Sequence, residues 1–256
     1  MSFHDGRYRH FDRTALPVTA LAEDYPDGYV TPRHRHPNAQ LLHAVRGVMV
    51  VDTDYGQWVV PPTRGLWMPA GVDHRLRMVG AVMMRTAYIN TRAAPGLPTQ
   101  CVVLDISTLL RELIIAVIGE PIPYVADSRA GRLARLVLDE IRQMEVLPLH
   151  LPMPADKRLL AICNAINAAP DDNTTVTEWA RHLRVDPKTI QRLFLRETGM
   201  TFGQWRTQTR LLLALERLAA GDSVLNIALD LGYQSPSAFA TMFKKQFGIA
   251  PSRFFD

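Results

Sequence analysis

A short stretch near the amino terminus, HRHPNAQLLHAVRG (residues 34–47), concentrates side chains that could do chemistry. It places His34, His36 and Gln40 where an extended segment would begin. Imidazole is both a common metal ligand and a hydrogen-bonding group, so the stretch allows either a metal site or a polar pocket for a small molecule. Gln40 is a poor ligand for Fe, Mn or Zn, which favours the pocket. We leave His43 out, because an offset of three from Gln40 normally changes the face of a strand.

A second group of chemically useful side chains lies in two similar segments near the carboxy terminus. These are WARHLRVDPKTIQRLFLRETG (residues 179–199) and IALDLGYQSPSAFATMFKKQFG (residues 227–248). Each is typical of a helix-turn-helix, with a small residue in the first helix that allows close crossing. A capping residue followed by proline then predicts the start of the second helix, at Asp186-Pro187 and at Ser235-Pro236.

The second helix of each unit should bury one face and expose the other. Apolar residues at helical spacing predict the buried faces, namely Ile190, Leu193 and Phe194, and Phe239, Met242 and Phe243. The opposite faces carry Lys188, Gln191, Arg192 and Arg196, and Ser237, Ala238, Thr241, Lys244 and Lys245. These residue types suit base edges in a major groove and DNA phosphates. The alternative is a pair of helical hairpins with a solvated charged face.

The remaining pattern divides the chain into two domains. Residues 14–104 favour short strands in a small antiparallel barrel or sandwich. Apolar periodicity then predicts amphipathic helices over 107–118 and 128–147, each capped by a serine. Three prolines predict an extended linker over 148–157. The predicted domains are therefore 1–147, with the strands and two helices, and an all-helical domain over 158–256.

The carboxy-terminal region resembles the DNA-binding domain of AraC/XylS-type transcriptional regulators. The resemblance rests on the two units, the joining RxxxRLxxAL that starts at Arg206, and the closing GIAPSRFF. It implies that the two recognition helices enter successive major-groove segments about one helical turn apart. Base contacts are then expected from Lys188, Gln191, Arg192, Ser237, Ala238 and Thr241. Phosphate contacts are expected from Arg196, Arg210, Lys244 and Lys245. Thr241 stands where the family often has arginine.

The amino-terminal region resembles the cupin family, through His34-x-His36-x-x-x-Gln40, Gly47 and PAGVDH ending at His74. The resemblance implies a cupin-like antiparallel β-barrel. In metal-binding cupins, three histidines and a glutamate hold a divalent metal, so His34, His36 and His74 are candidate ligands. Gln40 replaces the glutamate, and three imidazoles alone can still bind Zn²⁺. We favour a pocket lined by His34, His36, Gln40, Trp67 and His74, with Met68 beside it, that requires no cofactor.

Together these features predict a transcriptional regulator that binds double-stranded DNA and an unidentified small-molecule effector. The net charge of +4 fits a polyanionic partner. No phosphate loop, nucleophile elbow or paired carboxylates accompany the histidines, so we expect no enzyme activity. No signal peptide or membrane span is evident, so we expect a cytoplasmic protein. RNA polymerase is a further candidate partner, and the two amphipathic helices either form a homodimer contact or pack on the barrel. The competing hypotheses are a metal-dependent cupin enzyme, a metal-responsive sensor and an architectural nucleic-acid binder.

Overall fold

The computed structural model describes residues 8–62, 64–144, 146–147 and 150–254. The chain divides into two compact units, and the main boundary falls between His150 and Leu151, while Tyr55–Gln57 is grouped with the second unit. This boundary lies inside the segment 148–157 that the prolines mark as a linker. None of the described helices is long and apolar enough to cross a membrane.

The amino-terminal unit is built on an antiparallel sheet. Helix α1 (Tyr8–Asp12) precedes the strands β1 (Val18–Tyr25), β2 (Ala39–Thr53), β3 (Gly56–Val60), β4 (Arg64–Met68), β5 (His74–Ile89), β6 (Val102–Asp105) and β7 (Val146–Leu147). The strands pair in the order β1-β5-β2-β4-β6-β7, and β3 pairs with β2. A further short strand, β8, spans His150–Pro152. The short antiparallel strands predicted within residues 14–104 are confirmed.

The long strand β2 changes its pairing register where its sequence contains glycine. The β2–β5 register shifts between Ala44 and Arg46 and again between Arg46 and Val48. Gly47 lies at this irregularity with φ of +76°, and a Cβ atom there would come within 2.7 Å of the Ala81 carbonyl oxygen. A side chain at this position would therefore be strained and would also clash with β5.

Two helices cover one face of the sheet. Helix α2 (Thr108–Ile118) is capped by Ser107 and helix α3 (Arg129–Gln143) by Ser128, as predicted. Their buried residues form one apolar core with the sheet, including Ile114 and Val137. Packing on the sheet therefore accounts for most of the apolar stripe on both helices.

Helix α3 is shorter than the predicted span of 128–147. Its last helical residue is Gln143, and Met144 is already extended, with φ of −74° and ψ of 142°. Val146 and Leu147 pair with β6 as strand β7. The last apolar residues of the helical pattern thus belong to a strand, because pairing with β6 overrides the local helical periodicity.

The carboxy-terminal unit is helical, as predicted. It contains α4 (Lys157–Ala168), α5 (Val176–Leu183), α6 (Pro187–Thr198), α7 (Phe202–Ala219), α8 (Val224–Asp230) and α9 (Pro236–Phe247), followed by a 3-10 turn at Pro251–Arg253. Asp186 caps α6 by accepting from the Lys188 amide, and Ser235 caps α9 by accepting from the Ala238 amide. The predicted inward faces of both helices are buried, except that Met242 is half-buried.

The turns of the two helix-turn-helix units share a left-handed residue. In the α5–α6 turn it is Arg184, with φ of 54°, and in the α8–α9 turn it is Gly232, with φ of 73°. A Cβ atom at Gly232 would come within 2.7 Å of the Asp171 carbonyl oxygen, so close packing as well as backbone conformation requires glycine there. The first unit tolerates an exposed arginine at the equivalent place.

Gly232→Ala should destabilise the carboxy-terminal unit by about 2 kcal/mol or more, because left-handed strain adds to a backbone overlap. Hydrogen exchange of the α8 and α9 amides, followed by mass spectrometry, should become faster. Gly203→Ala is the matched control, since Gly203 lies in α7 with no atom within 4 Å of the added Cβ. That variant should leave exchange unchanged or slow it. Equal exchange rates in Gly232→Ala and the wild type would contradict the argument.

Candidate functional site

Main-chain hydrogen bonds bring the three predicted histidines together. His34 and His74 form an antiparallel backbone pair, with N–O distances of 2.9 and 2.8 Å. The loop before His74 is tied to the same segment, because the Gly71 amide donates to the His36 carbonyl oxygen at 2.9 Å. Gly71 has φ of +79°, which the turn in PAGVDH requires. The spacing seen in the sequence is thus converted into a cluster by backbone pairing at the start of β5.

The imidazole rings of the cluster lie close together in tilted and edge-to-face arrangements. Ring centroids lie 4.4 Å apart for His34 and His74, 4.9 Å for His34 and His36, and 5.5 Å for His36 and His74. One ring nitrogen from each histidine lies within 4.8 Å of the other two. We call His34, His36 and His74 the histidine triad.

Each Nδ1 atom of the triad is held by an oxygen acceptor. His34 Nδ1 donates to the Pro32 carbonyl oxygen at 2.8 Å, and His74 Nδ1 donates to the Val72 carbonyl oxygen at 3.0 Å. His36 Nδ1 lies 2.9 Å from Asp12 Oδ2. Because oxygen acceptors place the proton on Nδ1, the nitrogens that would bind a metal are the three Nε2 atoms.

Burial keeps two of the imidazoles neutral. Desolvation lowers the pKa of His34 to about 4, opposed by its hydrogen bond to Pro32. Desolvation, aided by the neighbouring His34, lowers the pKa of His74 to about 3. Both rings are therefore neutral near pH 7, the form that binds metals. Among the described residues, the buried Nε2 atom of His74 has no hydrogen-bond partner.

Asp12 is a site residue that the sequence did not reveal. It is 1 % exposed and lies at the end of α1, and its carboxylate contacts His36 across 24 residues of chain. Neither its spacing from the histidines nor its neighbours in sequence distinguishes it from the other acidic residues. Only the placement of α1 against the sheet reveals the contact.

A cavity of about 570 Å³ opens beside the triad. Its lining includes His36 and Asp12 together with Arg13, Arg35 and Arg92, all three of which are exposed. Asn38 and Asn90 add further polar groups. Three arginines against one aspartate make the lining basic, which suits a small molecule with negative charge.

The pocket prediction must be corrected for Trp67. This residue pairs with Leu41 in the sheet and is buried in the core beneath α2 and α3. Its indole Nε1 donates to the Pro98 carbonyl oxygen at 2.7 Å. Trp67 therefore packs under the helices and does not line a pocket with the histidines, because alternate residues of a strand face opposite sides.

Gln40 and Met68 lie on the other face of the sheet. Gln40 pairs with Met68 on one side and Tyr88 on the other, and the Tyr88 ring lies 5.1 Å from that of His36. Directly opposed residues share a face, so Gln40 points to the histidine side. Its Oε1 atom is buried and, within the described chain, has no hydrogen-bond partner.

The triad could hold a divalent metal ion. Three imidazoles with fixed tautomers can bind Zn²⁺ and leave one coordination position open. His43 is not part of this group: its Nδ1 donates to the Arg64 carbonyl oxygen at 3.1 Å. The metal candidates are therefore the three histidines named from the sequence, with Asp12 behind one of them.

In the carboxy-terminal unit, five of the six predicted base-contacting residues are exposed. They are Lys188 and Arg192 on α6, and Ser237, Ala238 and Thr241 on α9. The sixth, Gln191, is half-buried, and its Oε1 accepts from the Phe202 amide at 3.4 Å. Gln191 therefore has a second role at the start of α7, and reading a base would require it to exchange this weak bond.

The predicted phosphate contacts separate into two kinds. Lys244 and Lys245 are exposed, and Arg196 is exposed while paired with Glu197 at 2.8 Å. Arg210 is 8 % exposed, and its guanidinium donates to the Pro170 and Asp172 carbonyl oxygens and to Asn173 Oδ1. We therefore correct the prediction for Arg210: its donors hold the segment before α5, so it is a structural residue.

Comparison with known proteins identifies the family. The model of the AraC-like ligand binding domain matches residues 16–145, and a helix-turn-helix domain model matches residues 179–256. The chain belongs to the AraC family of transcriptional regulators. It is 33 % identical over 228 residues to the HTH-type transcriptional regulator NimR of Escherichia coli, covering 89 % of this chain and 83 % of that protein. It is 24 % identical over 239 residues to the arabinose operon regulatory protein of E. coli, covering 90 % and 70 %.

The two AraC-family domains correspond to the two units of the structure. The ligand-binding domain covers the antiparallel sheet with α2 and α3, and the helix-turn-helix domain covers the region from Trp179 onward. The chain is thus a regulator with a DNA-binding domain and a domain for a small-molecule effector, as the two sequence patterns predict.

The free energy of unfolding should depend on pH through His43. Burial lowers the pKa of His43 to about 4, so the folded protein resists protonation while the unfolded chain takes up a proton near pH 6.5. The contribution is fully present above pH 6.5 and is lost as the pH falls toward 4. The expected loss is at most about 3 kcal/mol.

His43→Asn is the comparison variant, because its amide can still donate to Arg64 but does not titrate. Urea unfolding of both proteins from pH 7 to pH 4 isolates the contribution of His43 to the free energy of unfolding, since all other histidines are common to both. The wild type should lose stability more steeply than the variant. Parallel pH profiles would show that His43 is not the group responsible.

Proposed function

We propose that α6 and α9 read the bases of two successive major-groove segments. Arg192 can form a bidentate contact with guanine O6 and N7, and Lys188 can reach a neighbouring base. Gln191 can pair with adenine after exchanging its bond to Phe202. On α9, Ser237, Ala238 and Thr241 present small groups for hydroxyl and methyl contacts. The first helix therefore carries most of the specificity.

Phosphate contacts in this proposal come from Arg196, Lys244 and Lys245. All three side chains are exposed, which supports the assignment. Such contacts fix the position of the protein on DNA and make binding sensitive to salt. The buried Arg210 contributes by holding its neighbouring segment in place.

The sensor part of the proposal places the effector at the histidine triad and the adjoining cavity. The three arginines of the cavity support a small anionic or polar effector, and His36 belongs to both the triad and the cavity. A divalent cation bound by the three Nε2 atoms would supply an open coordination position for an effector oxygen or nitrogen. The domain is proposed to be a sensor and not an enzyme.

An effector regulates this protein only if its affinity differs between conformations that bind DNA well and poorly.

Homodimer formation through α2 and α3 is part of the proposal, supported by exposed Leu109 and Leu136 that the core does not cover. Contact with RNA polymerase and action in the cytoplasm are also part of the proposed function.

The observation that carries the proposal is the pair of capped helices with exposed polar faces in a chain of the AraC family. Selection from a random DNA pool should enrich one site with two groups of fixed bases about 10 bp apart. On that site Arg192→Ala should weaken binding by about 1–3 kcal/mol, roughly 5- to 150-fold. Binding to scrambled DNA should change far less.

Arg46→Ala is the matched control for Arg192→Ala, because it removes the same charge from an exposed position on β2, in the other unit and away from the proposed dimer contact. It should leave both affinities unchanged. Equal losses on selected and scrambled DNA would reduce Arg192 to a phosphate contact. A pool that never converges would favour an architectural binder over a sequence-specific one.

His74→Ala should greatly weaken metal binding, because it removes a buried ligand nitrogen without affecting the carboxy-terminal unit. Isothermal titration of the full chain with Zn²⁺ should give one site in the wild type and at least about 100-fold weaker binding in the variant. His43→Asn is the control histidine and should bind like the wild type. Zinc affinity that survives in His74→Ala would remove the triad from the proposal.

A further inference from the structure

We propose that Asp12 is the carboxylate that positions His36 for metal binding and that it links the occupied site to helix α1. This inference rests on the metal site of the proposed function and adds a residue from outside the histidine motif. Asp12 is proposed as a positioning residue. Its carboxylate accepts a hydrogen bond from His36 Nδ1–H, so that His36 Nε2 would be oriented to bind the metal.

The first supporting observation is the burial of the pair. The side chains of His36 and Asp12 are 2 % and 1 % exposed, with 2.9 Å between His36 Nδ1 and Asp12 Oδ2. The other carboxylate oxygen, Oδ1, is also buried and has no hydrogen-bond partner in the described part of the chain. Burying an incompletely bonded carboxylate costs folding free energy, so a cation nearby would offset that cost.

The second observation is the contrast among the three histidines. His34 Nδ1 and His74 Nδ1 donate to backbone carbonyls, whereas His36 Nδ1 lies against the Asp12 carboxylate. A carboxylate behind an imidazole fixes its tautomer, increases its basicity as a ligand and is itself stabilised when a cation binds in front. His36 is therefore the histidine whose ligand strength depends most on its partner.

The third observation is the amide at position 40. Three imidazole ligands bring no negative charge to a bound dication, and the amide of Gln40 brings none either. Asp12 places one negative charge directly behind a ligand, where Coulomb attraction is weakly screened. The charge that the motif lacks at Gln40 would thus come from a residue 28 positions earlier in the chain.

The connection to α1 follows from where Asp12 lies. It is the last residue of α1, and the preceding Phe11 carbonyl oxygen accepts from the Thr19 hydroxyl of β1 at 2.6 Å. Metal binding that strengthened the His36–Asp12 hydrogen bond would therefore hold α1 more firmly against the sheet. Because Asp12 and Arg13 also line the 570 Å³ cavity, metal binding would also reduce the motion of these two lining residues.

The test compares three full-length proteins: the wild type, Asp12→Asn and Asp73→Asn. Asparagine keeps the size of Asp12 but removes its charge, and its amide can donate to His36 Nδ1, which would move the proton to Nε2. Asp73→Asn removes a charge beside His74 from a side chain that is 45 % exposed, so it controls for long-range electrostatics.

Zinc affinity should fall about 10- to 100-fold in Asp12→Asn and much less in Asp73→Asn. The Co²⁺ absorption bands should also shift in Asp12→Asn, because the position of His36 changes; a loss of fold alone would not give a shifted spectrum. Equal affinities for the wild type and Asp12→Asn would overturn the inference while leaving the triad intact. Equal losses in both variants would also overturn it, because long-range charge would then be sufficient.

A second measurement needs no change at Asp12. Hydrogen exchange of the Tyr8–Asp12 amides in the wild type should slow when Zn²⁺ is added, and should not respond in His74→Ala. Unchanged exchange in a wild-type protein that has bound zinc would refute the link to α1. A wild type that binds neither Zn²⁺ nor Co²⁺ would instead remove the metal site itself, and the inference with it.

Discussion

The antiparallel pairing of β2 with β5 constrains the whole amino-terminal unit. These strands have 15 and 16 residues, and the pleat assigns alternate side chains to opposite faces. Leu41 and Ala87 point toward the helices, while Gln40 and Tyr88 point toward the histidines. A shift of one residue would exchange the two sets, so one register determines both the core and the site.

The histidine triad depends on that same strand pairing at its edge. The backbone pair of His34 and His74 lies where β5 begins, and the loop that contains Gly71 brings His36 beside them. Three separate oxygen acceptors then orient the rings, two from the main chain and one from Asp12. The site is organised before any ligand arrives, which lowers the ordering cost of binding.

The two helix-turn-helix units show how one framework supports different surfaces. Both use a capping residue before proline, a small residue in the first helix and a left-handed residue in the turn. Their exposed faces differ, because buried positions must satisfy packing while exposed positions need only remain polar. The exposed residues of α6 and α9 can therefore change without altering the fold.

The sequence by itself determined the features that depend on local rules. Helix starts at Ser107, Ser128, Asp186 and Ser235 follow from capping chemistry, and the buried faces of α6 and α9 follow from helical periodicity. The order of the two domains and the three histidines of the triad can also be predicted from the sequence, because each pattern spans only a few residues.

Tertiary structure decided what depends on residues far apart. It placed Asp12 behind His36, turned Trp67 toward the helices, committed Arg210 to backbone carbonyls and converted the end of the predicted helix 128–147 into β7. In each case the side chain or segment satisfies a partner that local periodicity cannot identify. The physical reason is that burial and hydrogen bonding are settled between segments, whereas helical period and capping are settled within one.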